Sequence, residues 1–184
     1  MTNIQNISLS EINKAHSNVS KSQVFASRAI KSASWPSLRR IPLAFLGAFA
    51  AISSLALVAG TTHYPLILGS FGASCCILFG LPETPFARPR NVLGGHFIAS
   101  LTGLVFVFLF GVCWWSLGLA VATSIALMLA TGTTHPPAAS NPVIVMLSSP
   151  AWSFLIAPTL IGAFILVFVA TFYNVVARKL SQGN

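Results

Sequence analysis

Between residues 41 and 177 the chain carries three charged side chains: Glu83, Arg88 and Arg90. A soluble domain devotes roughly 25% of its residues to charge, and the whole chain reaches only 7%, with 55% hydrophobic residues and a mean hydropathy of +0.82. Such a stretch cannot cover itself with a water-facing surface. It excludes a soluble domain and requires a bilayer, where apolar helices satisfy their own backbone groups.

A spanning helix needs about 20 apolar residues, fewer where helices are broken or re-entrant. On that measure the sequence predicts six hydrophobic segments. Ile41–Ala59 is followed by a short, Gly-rich Pro65–Leu81. Val92–Val112 and Trp114–Thr131 come next. Pro137–Leu147 has about half the usual length, and Trp152–Ala177 is interrupted by Pro158.

The remaining charge lies at the edges. Residues 1–40 hold Lys14, Lys21, Arg28, Lys31, Arg39 and Arg40 against Glu11, and Arg178 and Lys179 open a short basic tail over 178–184. Basic residues flanking apolar segments mark cytoplasmic ends. Nothing presents them on a folded face, which excludes nucleic-acid binding. The Ser-rich tail over 1–40 reads as a disordered cytoplasmic extension, and its composition also suits an organelle transit peptide. Cys75, Cys76 and Cys113 lie in apolar runs with neither disulfide nor metal-ligand spacing. We read them as packing residues and expect no metal and no cofactor.

The segments repeat. Gly60-Thr61-Thr62-His63-Tyr64-Pro65 returns as Gly132-Thr133-Thr134-His135-Pro136-Pro137, each time after an Ala/Leu-rich segment and before a short apolar one. A weaker, gapped match relates Pro89-x-x-Val92-Leu93-Gly94-Gly95 to Pro158-x-Leu160-Ile161-Gly162-Ala163. The expected fold is an all-α polytopic domain over 41–177, built from two three-helix repeats, about 41–112 and 114–177. Three segments per repeat is an odd number, so the second repeat enters the membrane inverted. With six crossings, Arg88, Arg90, Arg178 and Lys179 all lie on the cytoplasmic side with both termini. The alternative, four full spans with two re-entrant segments, strands Arg88 and Arg90 outside.

Each copy places a histidine at membrane depth, where an ionisable group is expensive and a functional site by default. The proline after it cannot continue a helix but suits a first turn. Each GTTHxP is therefore expected to break one helix and open another, exposing free N–H groups that attract an anion. Thr61, Thr62, His63, Thr133, Thr134 and His135 are the candidate binding residues, with Asn141 a possible pore-lining amide. Gly60, Pro65, Gly132, Pro136 and Pro137 shape the breaks. Inverted symmetry would bring the two breaks together around one small, planar anion, and a histidine there could also carry a proton. The absence of a buried Asp or Glu fits an anion better than a cation. His96, after Gly94-Gly95, reads as a packing residue, Arg88 and Arg90 as topology anchors, and Trp114 and Trp115 as an interfacial belt.

Thr134-His135-Pro136-Pro137-Ala138, together with the upstream Thr-His-Tyr-Pro and the Arg-Pro-Arg-Asn-x-x-x-Gly-Gly-His run over 88–96, resembles the HPP family of integral membrane proteins. The resemblance extends over about 38–177 and does not reach the basic tail. It implies a transporter-like protein, in a family usually described as having four spanning helices. It also implies nitrite as a substrate, since members are implicated in nitrite transport in chloroplasts and cyanobacteria. The expected setting is thus a bacterial or cyanobacterial plasma membrane, or else a chloroplast inner envelope. The expected partners are the lipid bilayer, a small inorganic anion, possible coupled protons and a possible second copy of the chain. A non-transporting scaffold or receptor subunit is the competing reading. An intramembrane enzyme using His63, His135 and Cys75 or Cys76 fits less well, because no acid is placed to orient a histidine.

Overall fold

The computed structural model describes Leu38, residues 40–62 and residues 66–182, with side chains as far as Val175. Most of the N-terminal tail (residues 1–37 and Arg39), His63, Tyr64 and Pro65 lie outside the described residues, among which there is no strand. Among the described residues six helices follow one another. They are α1 (Arg40–Thr62), α2 (Gly69–Cys75, prolonged by a π turn over Cys76–Gly80) and α3 (Pro89–Phe110), then α4 (Trp114–Ala130), α5 (Asn141–Ser148) and α6 (Ile161–Gln182). A 3-10 turn over Pro136–Ser140 leads into α5. A 3-10 turn over Trp152–Leu155 and a π turn over Ile156–Leu160 lead into α6. Arg40–Thr62, Pro89–Phe110 and Trp152–Val175 are long and apolar enough to cross a membrane, while Gly69–Gly80 and Trp114–Ala130 are apolar but shorter.

The two GTTHxP copies do not end their helices alike. At the second, Gly132 adopts φ +62°, its N–H bonds to Leu129 O, and the Thr133 N–H reaches back to Met128 O at 2.9 Å. This is the Schellman pattern, which needs a left-handed residue and therefore favours glycine. At the first, Gly60 remains helical and α1 continues to Thr62, past the expected end at Ala59. The helix after it begins at Gly69 rather than at Pro65, with Leu66–Leu68 outside any helix. The Pro158 interruption is present. Ala157, pushed out of the helical region by the ring that follows it, has φ −128° and ψ 118°.

Packing follows the small and polar residues. Gly47, Ala51 and Leu55 form the buried stripe of α1, and Ser116, Ala120, Ser124 and Met128 that of α4, each at a spacing of four. The large side chains Phe45, Phe49, Phe164, Phe168 and Phe172 face outward. Lipid tails are as apolar as a protein core, so helices in a bilayer associate where small residues let backbones approach. Helix α3 is central, its inner face lined by Asn91, Val92, Gly95, His96, Ala99, Ser100 and Gly103. It packs on α4, α5 and α6, while α1 packs mainly on α6.

Three long-range hydrogen bonds tie helix ends together. Tyr173 Oη donates to the Leu43 carbonyl, Asn174 Nδ2 to Leu78 O, and Arg90 Nη2 to Gly132 O at 2.7 Å. Aromatic pairs join Phe108 with Trp152 and Phe110 with Trp115.

Candidate functional site

The first two turns of α3 grip the chain where α4 has ended. Arg90 satisfies the carbonyl of Gly132, and Asn91 Nδ2 donates to Thr134 O at 3.0 Å. One turn on, Gly94 and Gly95 let the two backbones meet: a Cβ at 95 would stand 2.8 Å from His135 Cβ and 3.1 Å from the Thr133 carbonyl. The Pro-Arg-Asn…Gly-Gly-His run and the Thr-Thr-His-Pro-Pro run, distant in sequence, are thus the two halves of one clamp. What they hold is His135.

Around His135 lies a continuous thread of hydrogen-bonded polar side chains inside the bundle. Ser74, His96, Ser100, His135, Asn141 and Thr159 are each 0% exposed. His135 Nδ1 lies 2.9 Å from Phe86 O, and its Nε2 lies 2.9 Å from Ser74 Oγ. On the other side, Ser74 Oγ stands 3.0 Å from His96 Nε2. Asn141 Nδ2 spans one turn of α3, reaching His96 Nδ1 at 3.1 Å and Ser100 Oγ at 2.8 Å. Residues four apart on a helix share a face, which is why one amide meets both. Ser100 and Thr159 hydroxyls, 3.0 Å apart, carry the thread to the π turn before α6.

Partners set the tautomers. A carbonyl only accepts, so His135 carries its proton on Nδ1. An amide nitrogen only donates, so His96 is bare at Nδ1 and protonated at Nε2. The rings lie 5.1 Å apart, and Phe71 meets the His96 ring edge-on at the same separation. Every side chain of the thread is neutral or imidazole, with no carboxylate among them. Asn141 Oδ1, Asn91 Oδ1 and Ser70 Oγ are buried without a partner, which leaves polar capacity beside the thread.

The sequence candidates divide. His135 and Asn141 come together through His96 and Ser74. Thr133 and Thr134 stay beside the clamp, but their hydroxyls turn to Thr131 Oγ1 and Met128 O. Thr61 and Thr62 are exposed at the end of α1 and donate back to Leu57 O and Val58 O. His96, read from sequence as a packing residue, is the middle of the thread, and Arg90 is a clamp as well as a flanking charge. Ser70, Ser74, Ser100 and Thr159 were not singled out at all. The spacing that betrays three of them was available: Ser70 with Ser74, and His96 with Ser100, are polar pairs four apart in apolar runs.

A groove of about 260 Å³ opens beside this end of the thread, lined among others by Leu78, Arg88, Pro89, Thr171 and Asn174. Its wall includes Ala87, the neighbour of the Phe86 carbonyl that holds His135.

Fold and site together define an all-helical integral membrane protein with a buried polar centre. The chain belongs to the HPP family: the HPP transmembrane region matches residues 33–181. It is 36% identical over 158 residues to a transmembrane protein of Dictyostelium discoideum, covering 79% of this chain and 55% of that protein. A second transmembrane protein of the same organism is 30% identical over 158 residues, covering 77% and 50%. The chain therefore spans about half the length of these curated relatives. No solved structure matches it.

Proposed function

We propose that this chain is a transport unit for a small anion, with nitrite the substrate that the HPP resemblance favours. The observation that carries the reading is the pair of buried imidazoles meeting on one hydroxyl, with an amide beside them and no carboxylate. Ionisable groups this deep in a membrane domain are costly to keep even when hydrogen-bonded to one another, and by default they mark a functional site. Imidazole, hydroxyl and amide can each present a donor to an anion's oxygens, whereas a cation would want carboxylates or clustered carbonyls. Arg88 in the neighbouring groove would draw an anion toward the same end, and displacing the Pro85–Ala87 turn would open His135 to it.

The architecture that goes with this reading is two inverted three-helix units, about 41–112 and 114–177, crossing six times with both termini and the Glu83–Arg90 connection in the cytoplasm. Two pairings support it. Helix α1 packs on α6 as α4 packs on α3. Gly162 of α6 also lies against Leu66 and Phe71 after the first break, as Gly94 and Gly95 of α3 lie against Thr133 and His135 after the second.

Purified protein in liposomes should accelerate nitrite uptake above the protein-free background. His135→Ala should abolish most of the flux per folded molecule, and His135→Gln, which keeps a donor, should restore part of it. Ammonium flux without nitrite flux would overturn the assignment, as would wild-type nitrite flux in His135→Ala.

A further inference from the structure

The hydrogen-bond partners of the two imidazoles determine how many protons they can hold. In the neutral pair, Ser74 Oγ accepts from His96 Nε2–H and donates its own proton to the bare Nε2 of His135. The same oxygen lies 3.0 Å from the carbonyl of Ser70, one turn back on α2. One hydroxyl proton therefore has two acceptors within reach, and only one can take it at a time.

We propose that His96, Ser74 and His135 form a binding site for a single proton, with the Ser74 hydroxyl as its pivot. A hydronium ion gives its proton to His135 Nε2 and departs as water, and the Ser74 O–H swings from that nitrogen to the Ser70 carbonyl. One N–H bond forms, no covalent bond of the protein breaks, and the pair gains one positive charge. Every partner stays satisfied: Ser74 Oγ now accepts from both Nε2–H groups, while His135 Nδ1–H keeps Phe86 O. The other vacant nitrogen, His96 Nδ1, offers no such route. A proton there would face the N–H of Asn141, and the amide would have to reverse together with its bond to Ser100. A second proton is opposed by the first, since the ring centroids are 5.1 Å apart in a medium that screens poorly.

The surroundings leave this geometry in control. Helix α2 adds Cys75 beside Ser74, and α3 adds Arg90, whose guanidinium is engaged at Gly132. The connection that supplies Phe86 also carries Glu83 and Arg88. Helices α4 and α5 contain no titratable side chain, and α6 contains none before Tyr173. As the coupling step of transport, one proton per anion, the site rests on the function proposed above; as a proton site it does not.

The test is nitrogen NMR of the full chain, labelled at histidine and held in lipid nanodiscs, with His96→Gln and His135→Gln used only to assign signals. In the wild type the two neutral rings should show opposite tautomers, Nε2–H at His96 and Nδ1–H at His135. On acidification His135, and not His96, should become an imidazolium. Ser74→Ala should weaken that protonation at least tenfold, and Ser74→Thr, which keeps the hydroxyl, should restore it. Like tautomers in the wild type, which needs no pivot variant, overturn the proposal; so do two protons taken together, or a Ser74→Ala titration that matches wild type. Nitrite flux in a protein whose His96 and His135 share one tautomer refutes the proton site and leaves transport standing. Opposite tautomers with single protonation, in a protein that moves no nitrite, support the site and remove the transport reading.

Discussion

Gly95→Ala should destabilise this protein although alanine is the better helix former. Residue 95 is inside α3, so the substitution gains about 0.5–1 kcal/mol of backbone propensity. Against that, the new methyl would stand 2.8 Å from His135 Cβ, 3.1 Å from Thr133 O and 3.3 Å from Met128 Sδ. Carbon atoms settle about 3.5–4.0 Å apart. Either α3 or the Thr133–His135 segment must therefore retreat by roughly 1 Å. Neither is a free side-chain end, since Arg90 and Asn91 bind that segment through its carbonyls. Overpacking of this kind costs about 1–3 kcal/mol, leaving a net loss of up to about 2.5 kcal/mol. Gly118→Ala is the internal control. It lies in α4 with nothing within 4 Å of its added Cβ, so it should stabilise by up to about 1 kcal/mol. Thermal unfolding of the purified protein in one detergent gives both signs, and nitrite flux per folded molecule reports whether His135 has moved. If Gly95→Ala is as stable as Gly118→Ala and transports normally, α3 does not clamp the break.

Gly132→Ala should cost about 1–2 kcal/mol, because Gly132 has φ +62° and Arg90 Nη2 waits 3.0 Å from its Cβ position. Gly60→Ala, at a helical site in the other copy, should be neutral or stabilising in the same unfolding assay; equal losses would refute the difference between the copies. Asn141→Leu keeps bulk but withdraws the donor shared by His96 and Ser100, and should lower stability by about 1–3 kcal/mol; an unchanged melting temperature would contradict the thread. On a cysteine-free background, Ser149→Cys should react with an impermeant thiol reagent added outside and Thr84→Cys should not. Labelling of Thr84→Cys from outside would overturn the six-crossing arrangement.

Much of the fold was legible because membranes impose a coarse rule. Three charges between 41 and 177 require apolar helices, and the Pro, Gly and Thr clusters divide them into long and short segments near the observed bounds. The exceptions have local causes. Gly60 stays helical, whereas Gly132 takes the left-handed turn that the Schellman pattern needs, and Arg90 binds its carbonyl. The site was half legible. Histidines and Asn141 stand out in apolar sequence, but the threonines beside them proved to bond their own helix ends. The serines and Thr159 look like ordinary small packing residues until neighbouring helices aim a nitrogen at them.

The sequence by itself determined that this is a helical membrane protein of the HPP family and that its second break is built around His135. Both follow from composition and short motifs, which are properties of neighbouring residues. Only the tertiary structure decided that His96 faces His135 across Ser74, that Asn141 joins His96 to Ser100, and that Arg90 and Asn91 hold the break from another helix. Those contacts join residues 22 to 61 positions apart. Their distances depend on how closely small residues let the helices approach, and no spacing along the chain encodes that.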